Sequence, residues 1–574
     1  MKEHEQPKAA ATPQMREERL FLLLSIFIGV ISGLLVVSFR MAIEWSSVLL
    51  LGPAPAAHQV LLIVIPAVVG LGVSLLTYFV FPGVRGSGVN QTKAALYIHN
   101  GYISFRTVVG KFLLSSIAIG SGHSLGPEDP SLQIGAGVAS LVGRKVKLSR
   151  ERLRLFAPVG AAAGLAAAFN APISAILFVI EEVIGKWSAG MLGSIVLAAV
   201  SSVVVARWFW GAQPMFHVPA TTLRDPRELL AYCVLGVAGG VASLFFAKAL
   251  GWLRPMLRRQ PRWVQILQPP LAGLLVGGIG FFGLPQVMGA GYGTIDQAMH
   301  GQFALKILIL LTIFKIVATT LSFSSGTPGG MFAPTLFIGA MLGASVGTFE
   351  KMFFPHLAGS TASYALVGMG VLFAAFLRVP LTSVFMVLEV SGNYSIIVPV
   401  ILANTIAYLL ARSLQKEPIF EVLTHQDGLY LPSMEEQREE AQLRLEDALE
   451  IAGVPVLRGS EWAGNARRAV PSIANPTDAL ACIVLCSDGE WYPVTQKEMA
   501  TVFATAAADD NIAIERLLPA ERPPVLFPDQ SLSSALPHFK RWPVLPISNR
   551  AERGFLEGIV TLDGVLRRYQ RSGL

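Results

Sequence analysis

Charge is scarce in this chain. Asp, Glu, Lys and Arg together make up 14% of its 574 residues, against about a quarter in soluble globular proteins. That scarcity argues against an ordinary water-soluble enzyme and against a disordered chain, which needs charged, polar sequence to stay solvated. The formal net charge is +7, but the basic residues are dispersed rather than set in stripes with aromatics between them, so no nucleic-acid partner is expected. Cysteine is nearly absent: Cys233, Cys482 and Cys486 cannot build a disulfide scaffold. Cys482 and Cys486 have no other ligand candidates nearby, so a structural reading is favoured over a metal site. Catalytic signatures are lacking too. There is no HExxH and no P-loop, and the nine histidines are scattered, so neither an enzyme nor a bound cofactor or metal is expected.

What fills the chain is apolar sequence, 53% by residue, with a mean hydropathy of +0.55. After a polar segment over 1–19, residues 20–39 read LFLLLSIFIGVISGLLVVSF, long enough to span a bilayer and lacking the small-residue cleavage site of a signal peptide. Apolar segments recur to about residue 412. Several are short or broken by Gly and Pro, which the membrane interior allows only where the backbone is buried in protein or lines a wet cavity. The basic stretch RKVKLSRERLR (144–154) reads as cytoplasmic. The expected fold is therefore an all-α polytopic membrane protein, with a membrane domain over 20–425 and a cytoplasmic α/β tail over 426–574. Within the tail, EEQREEAQLRLEDALE (435–450) reads as a solvated amphipathic helix.

The membrane block repeats itself, with halves over about 20–206 and 228–412. PGVRGSG (82–88) aligns with PQVMGAG (285–291), and SGHSLGPEDPSLQIGAGVASLVG (121–143) with SGTPGGMFAPTLFIGAMLGASVG (325–347). Lys111 pairs with Lys315, and Gly160, Pro172 and Glu181 pair with Gly368, Pro380 and Glu389. Shared Pro, Lys and Glu in a preserved order argue against coincidence among glycine-rich segments. Such duplication is the ground plan of secondary transporters, whose sites lie where broken helices of the two halves meet.

GPEDP and GMFAP each put Gly before, and Pro at the expected first position of, an apolar helical run. Pro is tolerated there because its missing N–H had no helical partner. The remaining free amides and the helix dipole then favour an anion in front of each start. Two such starts aimed at one centre hold a small anion without a formal positive charge.

These residues resemble the CLC chloride channels and proton-coupled transporters. GMFAP (330–334) matches the family's GxFxP element. GPEDP (126–130) resembles GxEGP with Asp129 in place of glycine, and GSGVN (86–90) resembles GSGIP with Asn90 in place of proline. GAAAGLAAAFNAPISAILFVIEE (160–182) is similar to the next family stretch over its whole length. The resemblance implies a CLC-type inverted repeat and transmembrane chloride transport. It implies that Glu128 is the gating glutamate and a proton carrier, that Ser87, Met331 and Phe332 bind the anion, and that Glu182 admits protons. Glu181 reads instead as a structural partner of Glu389. Phe420 stands in EPIF where the family has a tyrosine, so a phenyl ring lines the anion site without a hydroxyl to donate. Asp129 either raises the proton affinity of Glu128 as a neighbouring like charge or caps a helix.

Glu128 with Glu182 points to Cl−/H+ antiport. Phe420 and the altered GPEDP and GSGVN elements keep a passive, voltage-gated type of chloride channel as the alternative. A homodimer in the cell membrane, with one pathway per subunit and cytoplasmic termini, is implied by the resemblance only. The tail resembles a pair of CBS modules, degenerate over about 430–517 and clearer over 518–572, where 523–569 has a β–α–β–β–α pattern. Thr561 and Asp563 are spaced unlike the nucleotide-binding form, so no nucleotide is expected there.

Overall fold

Gly and Pro breaks divide the apolar sequence into many helices that pack largely through small residues. The computed structural model describes residues 13–572 except 54–56, 186–188, 217, 219–225, 357–358, 430, 432–442, 452, 471–475, 507–510 and 553. The chain divides into two compact units, Met1–Leu431 and Pro432–Leu574.

In the first unit two series of helices run in the same order. The first is α1 (Pro13–Leu51), α2 (Leu61–Phe79), α3 (Gly88–Tyr97), α4 (Phe105–Gly120), α5 (Glu128–Lys145), α6 (Arg150–Phe169), α7 (Pro172–Phe178) and α8 (Ala189–Trp210). The second is α9 (Glu228–Arg258), α10 (Arg262–Phe281), α11 (Tyr292–Met299), α12 (Leu305–Ser324), α13 (Phe332–Phe353), α14 (Thr361–Leu377), α15 (Pro380–Ser391) and α16 (Ile397–Leu414). A short α17 (Ile419–Gln426) ends the unit. Among the described residues, nine helices are long and apolar enough to cross a membrane. α14 is apolar on every side and buried from Ala362 to Leu377, as expected of a helix enclosed by others.

The sequence repeat is a structural repeat. The Lys111 ammonium donates to the carbonyls of Val84 and Gly86, at 3.0 and 2.8 Å. Lys315 donates to those of Val287 and Gly289, at 2.9 and 2.8 Å. Each lysine is fully buried, which is tolerable because its hydrogen bonds hold the turn before α3 or α11. α6 and α14 each end on a left-handed residue, Asn170 (φ 55°) and Arg378 (φ 63°). Each is followed within two residues by the proline that opens α7 or α15. Glu181 then caps α15, accepting from the N–H of Leu381 (3.3 Å) and Thr382 (2.9 Å). Glu389 reciprocates at α7, accepting from Ile173 (3.0 Å) and Ser174 (2.7 Å). Carboxylates at helix starts satisfy amides that the helices cannot pair internally.

The second unit holds a three-stranded sheet, with β1 (Val456–Arg458) parallel to β2 (Leu480–Leu485) and β2 antiparallel to β3 (Trp491–Thr495). A second sheet pairs β4 (Val544–Ser548) with β5 (Leu556–Thr561) in antiparallel register. A helix follows each hairpin, Gln496–Thr505 and Leu562–Ser572. Leu526 adds a parallel bridge to Ile547, so each sheet receives an extra extended segment from upstream. Cys482 and Cys486 sit in the first core, where burial pushes the Cys482 thiol up to about 12.

Of the helix expected over 435–450, residues 432–442 lie outside the described ones, and Leu445–Ala448 form a 3-10 turn. The N–H groups of Leu445 and Glu446 donate to Gln530 and Pro528 instead, and Glu450 pairs with Ile559. Tertiary pairing overrides helix propensity here.

Two close helix crossings test this packing. A Cβ added at Gly135 would lie 2.1 Å from the Gly160 carbonyl oxygen, and one at Gly339 2.3 Å from that of Gly368. Gly72 has nothing within 4 Å. Gly135→Ala is expected to destabilise the detergent-solubilised protein by about 1–3 kcal/mol through overpacking. Gly72→Ala should be neutral or slightly stabilising, as expected from helix propensity. Thermal melts of both variants check this, and equal melting temperatures would contradict the packing.

Candidate functional site

α5 and α13 start at corresponding places in the two halves and face one another. Before them, Gly126 and Gly330 exchange two backbone hydrogen bonds, each 2.8 Å, in an isolated antiparallel bridge. A Cβ on Gly126 would lie 2.9 Å from that of Ala333, and one on Gly330 2.7 Å from that of Asp129. Glycine is what lets these two helix starts meet. Pro130 and Pro334 are the third residues of their helices rather than the first, still within the turn where a missing N–H costs nothing. Neither helix start is capped by the side chain of its own cap residue, Pro127 or Met331.

Two carboxylates cross from α5 to the amides of α13. Glu128 Oε2 accepts from the Ala333 N–H at 3.3 Å, and its Oε1 accepts from the Tyr292 hydroxyl at the start of α11. Asp129 Oδ2 accepts from the Met331 N–H at 3.0 Å. Both side chains are fully buried. Of the two roles open to Asp129 from sequence, capping is the one with geometry behind it, though the start it caps belongs to the other half. The Arg40 guanidinium lies over the Tyr292 ring, 5.8 Å from its centroid.

Ser87 caps α3, its hydroxyl oxygen accepting from the Val89 N–H at 3.2 Å, which leaves its proton free to donate. The adjacent Gly88 is packed on Asp129, whose carbonyl oxygen would lie 2.1 Å from an added Cβ. Phe420, the second residue of α17, is wholly buried. Its ring lies 6.2 Å from that of Phe332 and 6.5 Å from that of Phe178, centroid to centroid. Phe332 in turn packs on Phe178 and Phe373, at 4.9 and 5.4 Å. Asn90 Nδ2 donates to the Phe420 carbonyl at 3.0 Å, tying α17 to α3 where a proline could make no such bond. Four phenyl rings therefore cluster at the start of α13.

Glu182 lies apart from this cluster, in a π-helical turn over Val179–Ile184. Its carboxylate pairs with the Lys93 ammonium at 2.8 Å, and both groups are nearly buried. Lys93 lies on α3, six residues after Ser87, or about 9 Å along the axis at 1.5 Å per residue. One short helix thus connects the two poles.

Structure therefore groups Ser87, Glu128, Met331, Phe332 and Phe420, and sets Glu182 at a distance. Tyr292 and Lys93 escaped the sequence reading. Tyr292 follows the aligned block PQVMGAG by one residue, at the repeat position of Val89, so extending the alignment would have shown an unmatched hydroxyl beside the site. For Lys93, an intramembrane cation needing a carboxylate partner was the available signal.

A protein-family model described as "Voltage gated chloride channel" matches residues 69–412. The H(+)/Cl(-) exchange transporter ClcA of Salmonella arizonae is 32% identical over 419 residues, 70% of this chain and 87% of the relative. Its counterpart in Salmonella paratyphi B matches at the same identity and coverage. The crystal structure of a slow cyanobacterial Cl−/H+ antiporter is similar with a TM-score of 0.65 and 26% identity, over 73% of this chain and 99% of that one. A eukaryotic CLC transporter, 20% identical with a TM-score of 0.61, shares the fold over 96% of this chain and 98% of its own. A family match that spans more than half of the chain, on a duplicated fold whose broken helices meet as described, makes this protein a member of the voltage-gated chloride channel family.

Proposed function

We propose that this protein exchanges chloride for protons across the membrane, without enzymatic chemistry or a bound cofactor. The observation that carries the reading is the Glu128 carboxylate on the Ala333 amide of the opposite half. A tethered carboxylate there imitates a permeating anion. Protonation removes its charge and most of its attraction to the amide and the helix dipole, so the neutral acid leaves and chloride takes the seat. When chloride moves on, Glu128 returns and its proton is released. Met331 and Phe332 amides, the Ser87 hydroxyl and the edge of Phe420 would hold the central anion. Glu182 would pass protons from the inner side, with Lys93 holding its carboxylate in place and compensating its charge. The names of the Salmonella relatives support exchange rather than passive flow.

A second reading, a passive chloride channel, is favoured by one observation: Phe420 has no hydroxyl to bind a central ion.

We also read the second unit as two CBS-like modules. Each has an extended segment, a helical turn, a hairpin and a closing helix, in that order. Thr561 bonds to the Glu450 carboxylate at 3.2 Å, an acidic neighbour that disfavours a nucleotide phosphate there. The same reading has both termini in the cytoplasm, a homodimer with one pathway per subunit, and residence in the cell membrane.

Reconstitution into liposomes with a chloride gradient tests the exchange. Uphill proton movement driven by chloride is expected. Glu128→Gln should abolish it while chloride still flows, and Glu182→Gln should suppress proton movement with chloride flux retained. Chloride flux without any proton movement in the unmodified protein would establish the channel instead.

Restoring a hydroxyl supplies a separate check. Phe420→Tyr should tighten chloride binding by about 1.5–3 kcal/mol, the worth of one hydrogen bond to a charged partner. Calorimetric titration reads the change, and an unaltered affinity would remove Phe420 from the anion site.

A further inference from the structure

We propose that Asp129 is a second tethered competitor for the anion pathway, holding the Met331 amide as Glu128 holds that of Ala333, so that chloride reaches this amide only when Asp129 is protonated or displaced. This rests on the anion site proposed above and adds to it a second acidic gate.

The two side chains start from neighbouring residues of α5 and differ by one methylene. They land on amides two residues apart on α13. Both seats along the helix start are thus filled by the chain itself. A cap alone would need a single acceptor, which an uncharged side chain supplies. Asp129 instead brings a second oxygen, Oδ1, that is buried and has no hydrogen-bond partner among the described residues. Burying an unsatisfied carboxylate oxygen is costly, and a proton on Oδ1 or an excursion of the side chain would relieve that cost.

The charged groups around Asp129 do not neutralise it directly. Glu128 adds like charge from the same helix, and Lys111 on α4 acts through space while its ammonium is committed to the Val84 and Gly86 carbonyls. Arg40 and Tyr292 bear on Glu128. On α3, Lys93 is bonded to Glu182. On α13, Glu350 is bonded to Tyr364 at the far end. The arginines that open α6 lie beside Leu153, which meets Gly143 at the opposite end of α5. Among the described residues no cation forms an ion pair with Asp129.

The test is calorimetric chloride titration of the full-length protein in detergent between pH 5 and pH 8, in the Glu128→Gln background so that Glu128 no longer titrates. With Asp129 present, chloride affinity should rise by about tenfold or more on acidification. In E128Q/D129N and E128Q/D129G it should be independent of pH, and in the glycine variant already as tight at pH 8 as the parent at pH 5. Equal affinities and pH profiles in parent and double variants would overturn the inference while leaving the anion site intact. So would a lowered melting temperature of D129G with unmoved chloride binding, since that describes a cap only. If D129G does not fold, D129N, which keeps an acceptor for Met331, carries the comparison. Folded protein that binds no chloride in any variant would overturn the anion site and this inference together.

Discussion

A helix leaves the amides of its first turn without partners, and inside a membrane protein there is little water to take them. That constraint governs this fold. At α7 and α15 the unmet amides are taken by Glu389 and Glu181, each lent by the other half. At α13 they are taken by Glu128 and Asp129 from α5. The difference between the two cases is what else could sit there. Glu181 and Glu389 each make a further bond to the hydroxyl of Thr382 or Ser174, which locks them as caps. Glu128 is held by the Tyr292 phenol, its own N–H and one long amide bond, and Asp129 by a single amide. Neither is locked by a hydroxyl of the helix it caps, as an exchange for an ion would require.

Close approach of two helix starts demands that neither carry side chains at the junction, and the reciprocal bridge of Gly126 and Gly330 meets this demand. The same logic runs along the helices behind them, where Gly135 lies on Gly160 and Gly339 on Gly368 at distances no Cβ tolerates. Packing through backbone suits a membrane interior, where apolar side chains gain little by leaving lipid. It also sets the helices behind the two starts in direct backbone contact.

Much of this was legible in the sequence because duplication makes structure visible as agreement. Lys111 with Lys315, and Glu181 with Glu389, could be paired before any coordinates, and each pair performs one task twice. What stayed hidden was set by contacts between residues far apart in sequence. Tyr292 reaches Glu128 from another half, and Lys93 finds Glu182 through the fold rather than through spacing. The direction of Asp129 was undecidable for the same reason: both a neighbouring charge and a helix start were available locally, and the start it took belongs to α13. In the second unit the charged run after 435 promised a helix, but the amides of Leu445 and Glu446 had better partners at Gln530 and Pro528. Local propensity carries little weight once another backbone segment offers better-placed carbonyls.

The repeat also separates scaffold from mechanism. Where the halves agree, the shared residue builds: lysines clasp turns, glycines cross, glutamates cap. The side chains of the proposed pathway fall where the halves disagree. Glu128 is mirrored by Phe332, Asp129 by Ala333, Ser87 by Ala290 and Glu182 by Val390. A symmetric site would place carboxylates on both helix starts, each competing for the amides of the other, and like charges brought that close repel. Putting the acids on α5 and the apolar residues on α13 leaves one start to supply the competitor and the other to supply the seat. In the proposed exchange, Glu182 would offer a proton acceptor beyond one end of the pathway, where Val390 offers none. A duplicated scaffold can therefore host two different roles by breaking its symmetry at only a few side chains.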